Sequence, residues 1–366
     1  MINLGFFPSR RLAFYMVRLF LTRSFAVLFA LILVLETLDL LGEAGKILAV
    51  PGNGDAALWH YVALRIPLLV SRFLPFSVLL GTLIAFVGLN QNSEVVAMKA
   101  AGLSAHQILA PLIVASIGIA ALLFAFNERV VVNSARVVNA WSDNDYKPIP
   151  PAPGILSNVW VLDGDDFVRA GIVSGHGAGM ILRQVSYYDR TGGVLQRVID
   201  AGRATPLGPR GWQLQDVTVY DANQAVLRHY PSMTALAGLT PDQFTLAKVE
   251  PTELDYWTLK QRIAELEAAG RPTDEARAGL AHKLSQPLSI LLMPLLAAVA
   301  AFGLARSGQV LVRAAIGMAL GFSYFVADNF SLAMGNAGAY PPLVAAWAPF
   351  LLFLLIGEAV LVRTEE

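Results

Sequence analysis

Asn92-Ser-Glu-Val-Val-Ala-Met-Lys-Ala-Ala-Gly-Leu-Ser104 is a short amphipathic stretch between two long apolar runs, where a plain hairpin needs only a few polar residues. On a helix Val95, Val96, Met98 and Leu103 do not all face water, whereas Glu94 and Lys99 suit the rim of a partner's groove. The stretch reads as a grip by which something outside the membrane delivers force to a chain embedded in it.

Working outward, the flanking runs are membrane spans. The chain has 366 residues, 55% hydrophobic and only 15% charged, with a mean hydropathy of +0.56. Such a composition is too apolar for an ordinary soluble enzyme. Six runs have the length that a bilayer core of about 30 Å demands: 24 to 41, 73 to 90, 107 to 126, 284 to 304, 311 to 334 and 343 to 362. No cleavable signal peptide is evident, because the first run is long, follows Arg10, Arg11, Arg18 and Arg23, and lacks a small-residue cleavage site. With six spans drawn, those arginines fall on one side with Lys99, Arg306, Arg313 and Arg363. That side is expected to be the cytoplasm, with both termini cytoplasmic.

The long segment between spans three and four is then external, and its character is different. Val159-Trp-Val-Leu, Phe167-Val-Arg-Ala, Met180-Ile-Leu-Arg-Gln-Val-Ser-Tyr-Tyr, Val194-Leu-Gln-Arg-Val-Ile, Trp212-Gln-Leu-Gln-Asp-Val-Thr-Val-Tyr and Ala225-Val-Leu-Arg-His-Tyr are β-branched and aromatic, several alternating with period two. They read as strands separated by the turn signals Asp163-Gly-Asp165, Thr191-Gly-Gly193 and Leu207-Gly-Pro-Arg-Gly211. The expected fold is an α-helical membrane protein of six transmembrane helices with an all-β sandwich or jelly roll inserted between the third and fourth. Its expected divisions are 1-130 with a cytoplasmic helix at about 91-104, the β insert at 131-250, a connecting amphipathic helix within 251-275, and the last three spans at 276-366. Pro148-Ile-Pro-Pro-Ala-Pro153 marks the entry to the insert.

The catalytic inventory is short. There is no cysteine, so no disulfide, thiolate metal site or cysteine nucleophile. No P-loop string exists, the nearest being Gly42-Glu-Ala-Gly45-Lys46, and no His-Glu-x-x-His occurs among the scattered His60, His106, His176, His229 and His282. Ser323 in Gly321-Phe-Ser-Tyr324 lacks the following glycine of an intramembrane serine protease and reads as a small polar packing residue. Asp39 and Asp328 lack the flanking sequence of an aspartyl dyad. The expectation is a chain without catalytic residues, metal or bound cofactor.

The ionisable residues near the spans form a pattern instead. Glu36, Asp39 and Glu43 share one helical face at the outer end of span one, and Arg65 and Arg72 share one at the start of span two. Lys283 opens span four and Asp328 lies about two turns from the outer end of span five. All are expected at the depth of the outer-leaflet headgroups, where charges are costly unless paired or wetted and mark a ligand path. The plainer reading is a set of interhelical ion pairs such as Asp39 with Arg72. Gly317 and Gly321 on span five, and Gly81 and Gly88 on span two, permit close helix approach within the bundle or between subunits.

Taken in order, these residues resemble the lipopolysaccharide export permeases of the LptF/LptG type, six-span halves of an ABC exporter. Ser93-Glu94-Val-Val-Ala-Met98-Lys-Ala-Ala-Gly102 is similar to the family's coupling segment, Gln286-Pro287-Leu288-Ser289 to the start of its fourth span, and Arg306-Ser307 to its cytoplasmic turn. Gly321-Phe322, Asp328 and Pro341-Pro342 are similar to its last two spans, and the Gln-Pro-Leu-Ser string and Asp328 sit nearer the LptG branch than LptF. The resemblance implies a Gram-negative inner-membrane permease paired with an LptF-like permease and driven by an LptB-like ATPase dimer that uses ATP and Mg. An LptC-like single-span protein and an LptA-like periplasmic bridge complete the assembly; lipopolysaccharide is the cargo and no nucleic-acid partner is expected.

It further implies that Ser93, Glu94, Val95, Met98 and Gly102 meet the ATPase, and that the lipid headgroup meets a rim of Arg65, Arg72, Lys283, Glu36, Asp39 and Asp328. One departure stands out, since related LptG sequences tend to carry lysines around the positions of Glu36 and Glu43. Carboxylates there repel a phosphate unless paired or bridged by a divalent cation, which shifts the expected phosphate contacts to Arg65, Arg72 and Lys283. An LptF-type paralogue, or a mechanotransmitting subunit that moves nothing, has the same outline; the latter does not need the charged ring.

Overall fold

In the computed structural model the described residues are 8–148 and 156–363, except 164, 176, 192, 222–225, 248, 269–270 and 303–309. The entry segment 149–153 and the turn residues Arg306 and Ser307 lie outside them.

The first run lies within α1 (Arg10–Leu48), whose first turn is closed by Ser9 Oγ accepting from the Leu12 amide at 3.4 Å. It pairs along α2 (Asp55–Gln91), and the gripping stretch forms α3 (Glu94–Ala100). α4 (Ala105–Phe126) opens on a capping box between Ser104 and Gln107, so two otherwise orphaned amide donors are satisfied at its start. It does not stop where the apolar run stops. A π-helical turn, Asn127–Val131, leads without a break into α5 (Val132–Asp143). The unbroken helix Ala105–Asp143 has 39 residues, and at a rise of about 1.5 Å each it is roughly 58 Å long, nearly twice a bilayer core. The boundary expected at 131 therefore falls inside a helix: Ala135, Val138 and Trp141 have a buried face to offer and nothing between 127 and 143 breaks the turn.

After the insert come α6 (Pro241–Ala247) and α7 (Tyr256–Ala268), the expected amphipathic connector. α8 (Asp274–Phe302), α9 (Val310–Asn336) and α10 (Pro342–Arg363) complete the chain. Among the described residues five helices are long and apolar enough to cross a membrane: Arg10–Leu48, Asp55–Gln91, Ala105–Asp143, Asp274–Val299 and Pro342–Arg363. The remaining expected run, 311 to 334, folds as α9, a helix of 27 residues.

The bundle core joins Phe20 and Leu28 of α1, Leu79 and Phe86 of α2, Ile108 and Leu112 of α4 with Leu292 and Leu296 of α8. Its opposite faces stay apolar and bare, as Phe29 (71% exposed) and Leu355 (68%) show, which is the arrangement a lipid solvent stabilises. Gly81 lets α1 touch α2, for a Cβ there would sit 2.4 Å from the Ser24 Cα; Gly321 likewise admits Leu79 against α9. Gly88 has open space around it. The small residues with neighbours thus serve packing within the bundle.

The insert is one antiparallel sheet of six strands: β1 (Leu156–Asp163), β2 (Asp166–Ser174), β3 (Ile181–Thr191), β4 (Val194–Pro206), β5 (Trp212–Asp221) and β6 (Val226–Ala235). All six expected strand segments are present. Each strand is hydrogen-bonded to the one before it, an up-and-down meander that is simpler than the Greek keys of a jelly roll. Alternate residues of the inner face, including Val159, Val168, Leu182, Leu214 and Val217, are fully or almost fully buried around Trp212. Trp212 Nε1 donates to the Leu239 carbonyl at 2.9 Å, and Phe244 of α6 closes the core edge-on to its ring.

Candidate functional site

The charges expected at one depth sort themselves into pairs. Asp39 on α1 accepts a two-pronged contact from Arg65 on α2, Nε to Oδ2 at 3.0 Å and Nη2 to Oδ1 at 3.1 Å, and a hydroxyl donated by Tyr61 at 2.7 Å. The arrangement follows from helix geometry, since Tyr61 and Arg65 are one turn apart and face the same carboxylate. The partner of Asp39 is thus Arg65, and the pairing with Arg72 is corrected: Arg72 is seven residues further along α2, two turns past the carboxylate. Glu43 accepts from Lys46 Nζ and from the Tyr146 hydroxyl, both at 2.8 Å, so this departure from a basic residue is locally compensated. Glu36 is 7% exposed and neither of its carboxylate oxygens has a hydrogen-bond partner among the described residues.

A second group surrounds a cavity of about 470 Å³ between α2, the π turn, α5, α8 and α9. Four of the six expected rim residues, Arg65, Arg72, Lys283 and Asp328, line it; Glu36 and Asp39 do not. Lys283 Nζ donates to Glu128 at 3.2 Å, with both side chains mostly buried. Asp328 lies 3.1 Å from His282 Nε2, and Gln286 Nε2 donates to the Ser71 carbonyl at 3.3 Å. Leu68, Leu69, Pro75 and Leu332 supply apolar wall. Arg72 is exposed to the cavity with no ion-pair partner among the described residues. Among the described residues the cavity therefore offers Arg72 as a cation without an ion pair, the pair Lys283–Glu128, the carboxylates of Glu250 and Glu275, and an apolar wall; the cation and the wall are the features that bind an amphiphile with an anionic head.

Glu128, His282 and Tyr61 escaped the sequence reading. Glu128 had a signal, being the first charge after the third apolar run, 107 to 126. What positions it is the π turn, which adds a residue to one turn of an otherwise regular helix and so turns Asn127 and Glu128 toward the cavity. Asn127 Oδ1 is buried there without a hydrogen-bond partner among the described residues.

Helix α3, the expected coupling segment, is sided differently from the expectation. Val95 (4% exposed) and Met98 (8%) point into the bundle's own core, with Leu103 packed against it, whereas Val96 is 65% exposed. The face open to a partner is thus formed by Val96 with the exposed Asn92, Ser93 and Lys99. Glu94 accepts the Tyr15 hydroxyl of α1 at 3.1 Å, tying the helix to the first span. Ser93 (φ 56°) and Gly102 (φ 85°) both take left-handed backbone at the helix ends, and the Leu103 amide donates to the Met98 carbonyl at 3.1 Å. Gly102 is a helix terminator, since a side chain there strains the turn.

Comparison with known proteins bears on this architecture. The family model described as "Lipopolysaccharide export system permease LptF/LptG" matches residues 14–363. The chain is 26% identical over 340 residues to the lipopolysaccharide export system permease protein LptG of Escherichia coli K12, covering 90% of this chain and 91% of that one. It is 24% identical over 323 residues to the protein of the same name from Haemophilus influenzae, covering 86% and 89%.

Proposed function

The chain belongs to the lipopolysaccharide export system permease family LptF/LptG, and from that premise we propose that it is the LptG-type permease subunit of a lipopolysaccharide exporter in a bacterial inner membrane. It moves cargo and leaves ATP hydrolysis to a partner ATPase. In this reading the termini and α3 are cytoplasmic and the six-stranded insert is periplasmic. The lipid enters the cavity from the outer leaflet between this chain and an LptF-like permease. The insert passes it toward LptC-like and LptA-like partners.

The observation that carries the reading is the charge arrangement of the cavity. Lys283 is paired with Glu128 and Arg65 with Asp39, and Asp328 is within hydrogen-bond distance of His282, so Arg72 is the cation among the described lining residues left to meet a lipid phosphate. An apolar wall beside it takes the acyl chains. Force arrives through α3: its Val95 and Met98 knobs are anchored in the bundle core and Glu94 is tied to α1, so a push on the outer face of α3 moves the first two spans together.

Copurification in mild detergent tests the assembly: an LptF-like chain, an ATPase dimer and lipopolysaccharide are expected to elute with this one, and their absence refutes the reading. A photocrosslinking residue at position 72 is expected to label lipopolysaccharide. Val96→Asp is expected to release the ATPase while the spans stay folded, since it places a charge at an apolar contact without entering the chain's own core. Retention of the ATPase by that variant overturns the assignment of the coupling face.

A further inference from the structure

The outer face of the β sheet carries side chains that neither the cavity nor the coupling helix uses. Cross-strand pairing fixes which residues share that face: Trp160 stands opposite Arg169, Arg169 opposite Ser186, Phe167 opposite Tyr188, and Arg183 opposite Arg203. Trp160 (48% exposed) leans across β2 to stack on Tyr188 of β3, with ring centroids 5.7 Å apart and planes 17° from parallel. The Arg169 guanidinium lies 6.0 Å from the Trp160 ring and that of Arg190 lies 4.9 Å from the Phe167 ring. Leu162 (57% exposed) and Phe167 (36%) continue the apolar surface.

The arginines on this face are not ion-paired among the described residues, although Asp200, opposite Ser186, and Asp216, against Gly202, also stand on it. Arg169 donates to the Asn158 amide oxygen at 2.8 Å and Arg190 to the Gly193 carbonyl at 3.1 Å, neutral acceptors that offer no counter-charge. Arg183 and Arg203 are exposed, face each other across β3 and β4, and have no carboxylate partner among the described residues. Like charges directly opposite destabilise a sheet unless an anion lies between them. Flat, half-exposed rings beside uncompensated guanidiniums match one ligand chemistry: a ring-shaped polar molecule whose apolar face stacks on the aromatics and whose anionic substituents meet the arginines.

The geometry points to the outer face of β1 to β4 as a docking platform for a phosphorylated saccharide, here the sugar portion of the exported glycolipid. This rests on the cargo being lipopolysaccharide, and it adds a second contact, away from the cavity and specific for the saccharide. Trp160 and Tyr188 form the stacking floor, while Arg169, Arg183 and Arg203 hold phosphate groups. Charged contacts at an exposed surface act by steering and retention, so they hold the headgroup near the insert without locking it.

The test uses the full chain in lipid nanodiscs and, as probe, the fluorescently labelled oligosaccharide left after complete deacylation of lipopolysaccharide, with its phosphates intact. Trp160→Ala, and separately the pair Arg169→Gln with Arg183→Gln, are expected to weaken its binding about tenfold or more, because each removes one half of the recognition. Phosphatase treatment of the probe is expected to do the same. Tyr188→Phe keeps the ring and is expected to leave affinity within about twofold, which separates stacking from damage to the sheet. No binding of the probe, equal affinity for the dephosphorylated probe, or full binding by the Trp160 and arginine variants overturns the inference. So does a photocrosslinker at 188 that captures only protein in cells. Lipopolysaccharide crosslinked at 72 but not at 188 refutes the platform and leaves the cavity reading standing, whereas the reverse result removes the cavity and leaves the platform.

Discussion

The helical bundle and the β insert treat charge in opposite ways. In the bundle, Asp39, Lys283, Asp328 and Glu43 each have an opposite or hydrogen-bonding partner within 3.2 Å, whereas among the described residues Arg72 has no ion-pair partner and Glu36 no hydrogen-bond partner. In the insert, four arginines share one exposed face without a carboxylate partner. The contrast is one of pairing. An unpaired charge costs little where water reaches it, so Arg72, exposed to the cavity, is tolerated as the sheet arginines are; what marks it is that the charged neighbours Arg65 and Lys283 are paired. On the sheet it is the combination with stacked rings that carries information.

The contrast can be broken at four points. Trp212→Ala removes the largest fully buried side chain of the insert and should cost about 4 kcal/mol. Strand signal in circular dichroism is then expected to melt early while helical signal persists, and joint melting of both would show that the two regions are one cooperative unit. Next, Glu128→Ala leaves Lys283 buried without a counter-charge and should cost about 3 kcal/mol, read as a lower midpoint for helix unfolding in detergent.

A smaller loss is expected for Asp39→Ala, about 1 to 2 kcal/mol, because Arg65 and Tyr61 lose their acceptor at a partly exposed site. The exchange Asp39→Arg with Arg65→Asp should recover most of it, since a structural pair depends on opposite charge more than on which helix carries it. No recovery would place Arg65 in the ligand site. The smallest stability change belongs to Arg72→Glu, within about 0.5 kcal/mol, because Arg72 has no partner to lose. Lipopolysaccharide transport should nevertheless fall at least about tenfold in the assembled complex. Normal transport by that variant would remove Arg72 from the site and erase the difference between the two regions.

Much of this was legible in the chain. Long apolar runs, period-two strands and the amphipathic stretch at 92–104 are local patterns, and local patterns survive any tertiary arrangement. The end of the third helix was not legible: Val130 to Asp143 is too polar for a span and too irregular for a strand, and its helicity comes from the burial of Ala135, Val138 and Trp141 against neighbours far along the chain. The sidedness of α3 was half legible. Its apolar residues were visible, but whether Val95 or Val96 faces the bundle depends on how α3 is rotated against α1, α2 and α4.

The sequence by itself determined that this is a membrane-spanning chain with an inserted β domain, a short amphipathic helix between two spans and a set of charges near the span ends. Composition and periodicity suffice for that, because the transfer free energy of a side chain and the geometry of a helix or strand are properties of short segments. Only the tertiary structure decided which charges meet. Asp39 found Arg65 instead of Arg72, Glu128 was turned toward Lys283 by a π turn, and Arg72 was left without an ion-pair partner among the described residues, because ion pairing depends on distances of a few ångströms between helices. Those distances are set by the packing of residues such as Gly81 against Ser24 and Gly321 against Leu79, which no local pattern encodes.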